Sequence, residues 1–231
     1  MLTLWLTATL GWLSITAVGV AEMAAVCDES KFDEVAGTLL LYASREKQPV
    51  TSAALAESCL NDNKTFEWIE DYAKGCVKGL AGGVMRLLLD SSGEELHGRC
   101  YGDLREEYLE HTPCLNSVAE QLGGCNNEMT ALMEAAVKLE KRQHLLAHSC
   151  CSIQIYAQCM ETRAGSSCSR QAAQFVKGII YRIGENLLEG PCGKFTPDSK
   201  ECTTLPKPAL GDKLRYRSFV PAMINLLNHY G

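Results

Sequence analysis

The sequence predicts an all-α protein, a disulfide-stapled bundle of about six to eight helices. Apolar residues recur at alternating steps of three and four in several long segments, the spacing that gives a helix one apolar face. No segment shows the strict alternation of apolar and polar residues that is typical of a half-buried strand. The chain also has 12 cysteines, which add the expectation of covalent staples between the helices.

The amino-terminal residues are uncharged and contain an apolar stretch from Leu4 to Val20. This pattern predicts a secretory signal peptide over residues 1–21, with cleavage after Ala21, or after Ala25 as the alternative. An uncleaved membrane anchor is the other interpretation, because about 20 apolar residues span a bilayer. The lack of flanking Lys or Arg favours cleavage, so we expect no stable membrane insertion of the cleaved chain.

The rest of the chain divides into three predicted parts. Residues 22–189 form a cysteine-rich helical domain, residues 190–212 a Pro-rich, disulfide-tied loop, and residues 213–231 a carboxy-terminal helix. We expect Cys192 and Cys202 to tie the loop to the body or to each other. The last helix, from Leu214, is expected to bend or restart at Pro221 because proline disrupts a helix interior.

Apolar spacing predicts four long helices and two shorter ones. The long series are Phe32–Tyr42, Phe66–Leu87, Met129–Cys150 and Ala172–Leu187, and the shorter helices are Glu94–Glu110 and Pro113–Leu122. Capping side chains predict helix starts at Ser30, Asp62, Thr112 and Ser169. Glycines predict helix ends at Gly123, Gly124 and Gly190.

The cysteines are the most informative residues of the sequence. They are Cys27, Cys59, Cys76, Cys100, Cys114, Cys125, Cys150, Cys151, Cys159, Cys168, Cys192 and Cys202. An even number in a chain with an export signal predicts six disulfides formed in an oxidising compartment, with the partners unassigned. No C-x2-C pair is present, so neither a zinc module nor a thioredoxin-like redox site is expected.

The adjacent residues Cys150 and Cys151 have a structural interpretation. On a helix their side chains point about 100° apart, so each is expected to bridge to a different neighbour. We therefore expect this doublet to join three helices.

No catalytic, cofactor-binding or metal site is predicted. The chain has no Gly-x-Ser-x-Gly motif and no phosphate-binding glycine loop. His144 and His148 would share one helical face, but no third metal ligand is evident. The alternative is that both are partly exposed residues near a helix carboxy terminus, where the helix dipole favours a cation.

The balance of charge argues against one class of partner. The chain has 22 basic and 28 acidic residues, a net charge of −6, and no dense basic run. Nucleic acid is therefore not an expected partner. An extracellular protein or an apolar small molecule remains open as a partner.

One glycosylation sequon is present, Asn63-Lys64-Thr65. It follows the predicted helix start at Asp62, so Asn63 is expected to be exposed and glycosylated. The alternative is a sequon that the cell does not use.

The signal, the widely spaced cysteines, the doublet Cys150-Cys151 and the sequon together resemble a known protein class. The layout is similar to the haemolymph glycoprotein-like, cysteine-rich helical proteins of arthropods and to related secreted domains of nematodes. The resemblance covers most of Cys27–Leu188. It implies an extracellular location, disulfides and glycosylation, and it implies no catalytic residue because that family has none established.

Three functions remain open from the sequence. The first is a non-enzymatic extracellular binding or interaction protein that acts through its surface, which the lack of catalytic motifs favours. The second is a carrier of a lipid or small apolar ligand in a cavity between helices, which the Leu, Met and aromatic faces favour. The third is a secreted hydrolase, whose catalytic groups would have to be brought together by the fold.

Overall fold

The computed structural model describes residues 27–44, 46–139 and 143–230, and the predicted signal peptide over residues 1–21 lies outside them. The helices are α1 Glu29–Leu39, α2 Ser52–Cys76, α3 Gly79–Tyr101, α4 Leu104–Leu115, α5 Ala119–Ala136, α6 Gln143–Ser167, α7 Arg170–Glu189, α8 Lys200–Thr203 and α9 Phe219–Tyr230. A 3-10 turn, Asn116–Val118, joins α4 to α5. Only α8 is a single turn, and no strand occurs in the described ranges. The predicted all-α class is confirmed.

The carboxy-terminal helix α9 lies at the centre of the bundle. It packs against α1, α3, α5 and α6, and its Met223 and Leu226 are almost fully buried. Around it, α6 packs between α5 and α7, and α7 packs against α3. Because burying a large apolar side chain contributes about 1.5–3 kcal/mol, α9 is an integral part of the core.

Six disulfides pair all 12 cysteines, as predicted. The pairs are Cys27–Cys76, Cys59–Cys100, Cys114–Cys168, Cys125–Cys159, Cys150–Cys192 and Cys151–Cys202. Their members lie between 34 and 54 residues apart in the sequence. Each bridge therefore closes a long loop, which restricts the unfolded chain and typically stabilises the fold by about 2–4 kcal/mol.

The cysteine doublet lies in the first half of α6. Its two members bridge to different cysteines, as predicted, but both partners lie in the Pro-rich segment. Cys192 follows the end of α7, and Cys202 lies in α8. The expectation that the doublet joins three helices was wrong, because Cys192 lies in the turn after α7. The doublet instead fastens residues 190–212 to α6 at two points.

Most of the predicted helix starts were wrong. The side chain of Asp28, not Ser30, caps α1, and that of Thr51, not Asp62, caps α2. Thr112 lies inside α4, where its hydroxyl donates to the backbone oxygen of Tyr108. Ser169 was predicted correctly, since it caps α7 by accepting from the backbone N–H of Ala172.

Several predicted helix lengths were also wrong. The series from Phe66 to Leu87 is interrupted between α2 and α3, where Gly79 has a φ of 60°. A left-handed backbone of this kind is readily adopted by glycine and breaks a right-handed helix. The series predicted to end at Tyr42 ends at Leu39, and Tyr42 itself has a φ of 61°.

Glycines end only one of the helices for which they were expected to do so. Helix α7 ends before Gly190, as predicted. Gly123 and Gly124 lie inside α5, and a side chain at Gly124 would collide with the guanidinium of Arg163. Gly124 therefore leaves room on α5 for the Arg163 guanidinium.

The segment before α9 is not helical, so α9 begins at Phe219 and not at Leu214. Acidic side chains of two helices hold this segment. Asp33 of α1 accepts from the backbone N–H groups of Arg217 (2.7 Å) and Ser218 (2.9 Å) and from the Ser218 hydroxyl (3.0 Å). Glu134 of α5 accepts from the backbone N–H of Tyr216 (2.9 Å). These bonds fix the direction in which α9 enters the core.

Candidate ligand-binding cavity

An apolar cavity in two lobes lies between the helices. The larger lobe, of about 130 Å³, is lined by residues of α1, α2, α3, α7 and α9. The smaller lobe, of about 60 Å³, is lined by residues of α3, α5, α6, α7 and α9. The lobes share a wall, whose residues are Leu40, Leu41, Leu88, Ile179, Ile183 and Phe219. The two lobes are therefore neighbours and could hold connected parts of one ligand.

The apolar wall follows from the sequence of α7. Its residues Phe175, Ile179, Ile183 and Leu187 repeat at one helical face, as the apolar spacing predicted. Ile179 and Ile183 are one turn apart and both line each lobe. Both have β-branched side chains, which are stiff at χ1 in a helix.

The cavity reaches the protein surface through apolar side chains that are only half-buried. Leu39, Phe66, Leu89, Ile183 and Val220 line the larger lobe in this way. The apolar surface of these residues is exposed to water, which is unfavourable, and a bound apolar molecule would cover it.

One end of the larger lobe is polar. Ser92, Glu95 and Arg99 line it, and the three lie along one face of α3. Glu95 is buried, and its carboxylate accepts from Arg182 of α7, with Nε 2.5 Å from Oε2 and Nη2 3.3 Å from Oε1. This pair joins α3 to α7 beside the cavity.

One nitrogen of the Arg99 side chain is buried without a hydrogen-bond partner among the described residues. Arg99 donates from Nη2 to Oδ2 of Asp62 on α2 at 2.9 Å, and its guanidinium lies 5.8 Å from the centre of the Tyr108 ring. Its Nε is buried and has no acceptor among the described residues. An unpaired buried donor of this kind costs the folded state about 1–3 kcal/mol.

Burial controls the titration of the groups around Arg99. It raises the pKa of the Asp62 carboxyl, and the charge of Arg99 opposes that rise. Burial also raises the pKa of the Tyr108 hydroxyl to about 12. Tyr108 therefore stays neutral at physiological pH, when it donates to the side-chain oxygen of Gln48 at 3.0 Å.

A disulfide fixes the geometry of this polar end. Cys59–Cys100 joins α2 to α3. Cys100 is the residue next to Arg99, and Cys59 precedes Asp62 by one helical turn. The bridge therefore holds the two helices together where the Asp62–Arg99 pair forms.

The structure does not support the expectation that Asn63 is exposed at a helix start. Asn63 lies within α2 and is partly buried. Its Nδ2 donates to the backbone oxygen of Cys59 and to the hydroxyl of Tyr101, both at 2.7 Å. The nitrogen to which a glycan would be joined thus already holds α2 against α3.

His144 and His148 lie in the first turns of α6 rather than near its carboxy terminus. His148 is buried, and its Nε2 has no partner among the described residues. Over residues 27–44, 46–139 and 143–230, no three His, Cys, Asp or Glu side chains are grouped so that they could hold a metal ion. Burial lowers the pKa of His148, and the nearby His144 lowers it further.

The sequence did not reveal the residues of the polar end. Glu95 and Arg99 are four residues apart, and their positions continue the apolar face of α3 that Met85 and Leu88 begin. The sequence did contain a signal, namely two charged residues at positions of an apolar helical face. Charged residues are rarely buried without a partner, so this placement indicates paired charges.

Comparisons with family models, with curated proteins and with solved structures give no match to this chain. Its function must therefore be inferred from its own geometry. Among the described residues, no helix has both the length and the apolar character needed to cross a membrane.

Proposed function

We propose that this chain is a secreted, non-enzymatic binding protein that carries a small apolar ligand in the cavity between α1, α2, α3, α7 and α9. The observation that carries the proposal is the two-lobed apolar cavity itself. A concave site of about 130 Å³ that is lined mostly by apolar side chains, with a few polar groups, has the character of a small-molecule binding site.

The size and lining of the cavity favour an apolar molecule. Apolar cavities of about 150 Å³, lined by Leu, Ile and Phe, stay dry and bind benzene. The larger lobe is close to that size and has the same kinds of lining residue. Removing apolar surface from water contributes about 25 cal/mol per Å², which supplies the affinity for such a ligand.

The extracellular location is part of the proposal. Six disulfides and no free cysteine among the described residues are typical of proteins that fold in an oxidising compartment. A cleaved signal over residues 1–21 would bring the chain there, and the resemblance to haemolymph proteins agrees with that location. Glycosylation of Asn63 also stays a prediction, and a mass shift that a glycosidase removes would test it.

Thermal unfolding of the purified protein with n-hexane and with 1-hexanol tests the proposal. A ligand at 100 times its Kd stabilises the folded protein by about 2.7 kcal/mol, which raises Tm by about 5–10 °C for a domain of this size. We expect that rise for the wild type. No rise with either compound would contradict the proposal and return the surface-interaction hypothesis to first place.

A cavity-filling variant provides the matched comparison. Ile179→Phe adds volume to a side chain that lines both lobes, so the variant should fold and lose the ligand-induced rise in Tm. Ile155→Phe makes the same change on α6 at an exposed residue that lines neither lobe, and it should behave as the wild type. Equal ligand responses of the two variants would show that the ligand binds elsewhere.

A further inference from the structure

We infer that the ligand is a cationic amphiphile, whose apolar tail fills the cavity and whose ammonium head group lies in an acidic groove beside it. This inference rests on the proposed function and names the chemical class of its ligand. The acidic groove is an open hollow of about 760 Å³, lined mainly by residues of α2 and α3. Four carboxylates line it, those of Glu70, Asp90, Glu94 and Asp103.

The acidic groove and the larger lobe meet at two half-buried apolar side chains. Phe66 of α2 and Leu89 of α3 line both of them. The Phe66 ring lies directly against the α3 backbone, because a Cβ placed on Gly93 would be 3.2 Å from its Cζ. A molecule that leaves the lobe between Phe66 and Leu89 therefore enters the acidic groove.

The carboxylates lie close to this opening. Glu70 follows Phe66 by four residues on α2, and Asp90 is the residue after Leu89 on α3. Glu94 follows Asp90 by four residues, so these two side chains leave the same helical face about 5–6 Å apart at Cβ. A head group at the opening is thus within one to two helical turns of three carboxylates.

Little positive charge offsets these carboxylates. Arg182 is the only Lys or Arg among the described residues that line the acidic groove, and it is already paired with the buried Glu95. Glu70 has a cation nearby, since its Oε2 lies 3.6 Å from Nζ of Lys74. The remaining carboxylates of the groove are the ones that a ligand would meet unpaired.

Asp90 and Glu94 supply the strongest preference for a cation. Both are exposed, and neither forms an ion pair within the part of the chain that the structure describes. Like charges one helical turn apart repel each other, which destabilises a helix. An ammonium group between them removes this repulsion, whereas an anionic head group would add to it.

A second hollow farther along α3 is less selective. Its basic lining residues are Lys74, Lys78 and Arg86. Glu70 and Asp90 also line it, so its charge is mixed, and Phe66 does not line it. A head group that leaves the cavity past Phe66 therefore meets the acidic groove first.

A head-group series with a common tail tests the inference. Binding of octylammonium, 1-octanol and octanoate to the full disulfide-bonded protein is measured by calorimetry at neutral pH. We expect octylammonium to bind at least about tenfold more tightly than octanoate, with 1-octanol between them. Because salt screens exposed charges, raising the ionic strength from about 0.02 M to about 0.5 M should remove most of this preference.

Other orders of affinity would overturn the inference. Octanoate that binds as tightly as octylammonium, or 1-octanol that binds most tightly, would show that the acidic groove does not hold the head group. A preference for octylammonium that salt does not reduce would have the same meaning. Each of these results leaves an apolar binding site in place.

A pair of double variants locates the head group. Asp90→Asn combined with Glu94→Gln should reduce the preference for octylammonium over octanoate to less than about threefold. Asp198→Asn combined with Glu201→Gln makes the same chemical changes at exposed residues that line neither the lobes nor the acidic groove. This control should keep the preference of the wild type.

The outcomes separate the two proposals. Equal preferences in the two double variants would refute the role of the acidic groove. If none of the three compounds binds the wild type, the proposed function itself fails, and the head-group inference fails with it.

Discussion

Removal of the Asp33 carboxylate should destabilise the protein through the entry of α9 into the core. Asp33 is 6% exposed and accepts three hydrogen bonds from Arg217 and Ser218, at 2.7, 2.9 and 3.0 Å. Asp33→Ala removes the acceptor of two buried donors, the backbone N–H and the hydroxyl of Ser218, and of the partly buried N–H of Arg217. Each unpaired buried donor costs about 1–3 kcal/mol, so we expect a loss of about 3–4 kcal/mol.

That loss is large compared with the total stability of a domain, which is about 5–15 kcal/mol. Asp33→Asn keeps one acceptor oxygen and should lose about half as much. Equilibrium unfolding in urea with the disulfides intact measures both values. Because the same bonds place Phe219 on the cavity wall, 1-hexanol binding should weaken in Asp33→Ala as well.

The neighbouring residue supplies the control. Glu34 is exposed on the same helix, so Glu34→Ala should change the free energy of unfolding by no more than about 0.5 kcal/mol. The reasoning is refuted if Asp33→Ala is no more destabilising than Glu34→Ala.

Two further changes test buried charge. The folded pKa of His148 lies below its unfolded value of about 6.5, so the unfolded chain binds the proton first, and stability should fall as the pH drops below about 6.5 toward the folded pKa. The free energy of unfolding, measured from about pH 7.5 to 5, should therefore fall less in His148→Gln than in the wild type. His97→Gln, at an exposed position, is the control and should follow the wild type. Identical curves for the wild type and His148→Gln would contradict this prediction. Arg182→Met leaves Glu95 buried without its partner and should lower stability by about 2–4 kcal/mol, less than for a fully buried pair since Arg182 is 36% exposed. Adding Glu95→Leu should restore most of the loss, and a double variant as unstable as Arg182→Met would show that the pair is not the cause.

The fold class could be predicted because local spacing determines it. Helix α7 shows this best: its apolar face, its cap at Ser169 and its end at Gly190 all agree in the sequence and the structure. Between α2 and α3 the spacing gave a wrong prediction of one continuous helix, because the apolar series continues across the break. Only the left-handed backbone of Gly79 reveals the break. At Gly124 the sequence predicted a helix end that is absent, because this glycine lies inside α5 and leaves room for the Arg163 guanidinium.

The sequence allowed a cavity between helices as one hypothesis but could not place it, because an unfilled space is a property of how several helices pack. Ile179 and Ile183 read as ordinary core residues in the sequence, and only the positions of α3 and α9 opposite them leave room. The polar end depends on pairs that are distant in the chain, Asp62 with Arg99 and Glu95 with Arg182. The disulfide partners could not be predicted either, because 12 cysteines permit about ten thousand pairings.

The most direct test of the account is the location of bound 1-hexanol by nuclear Overhauser effects to methyl-labelled protein. Contacts from the hexyl tail to the methyl groups of Leu88, Ile179 and Ile183 are the expected result, since these residues line both lobes. Contacts only to exposed methyl groups such as that of Ile155, or no contacts at a saturating concentration, would contradict the claim that this cavity binds an apolar ligand.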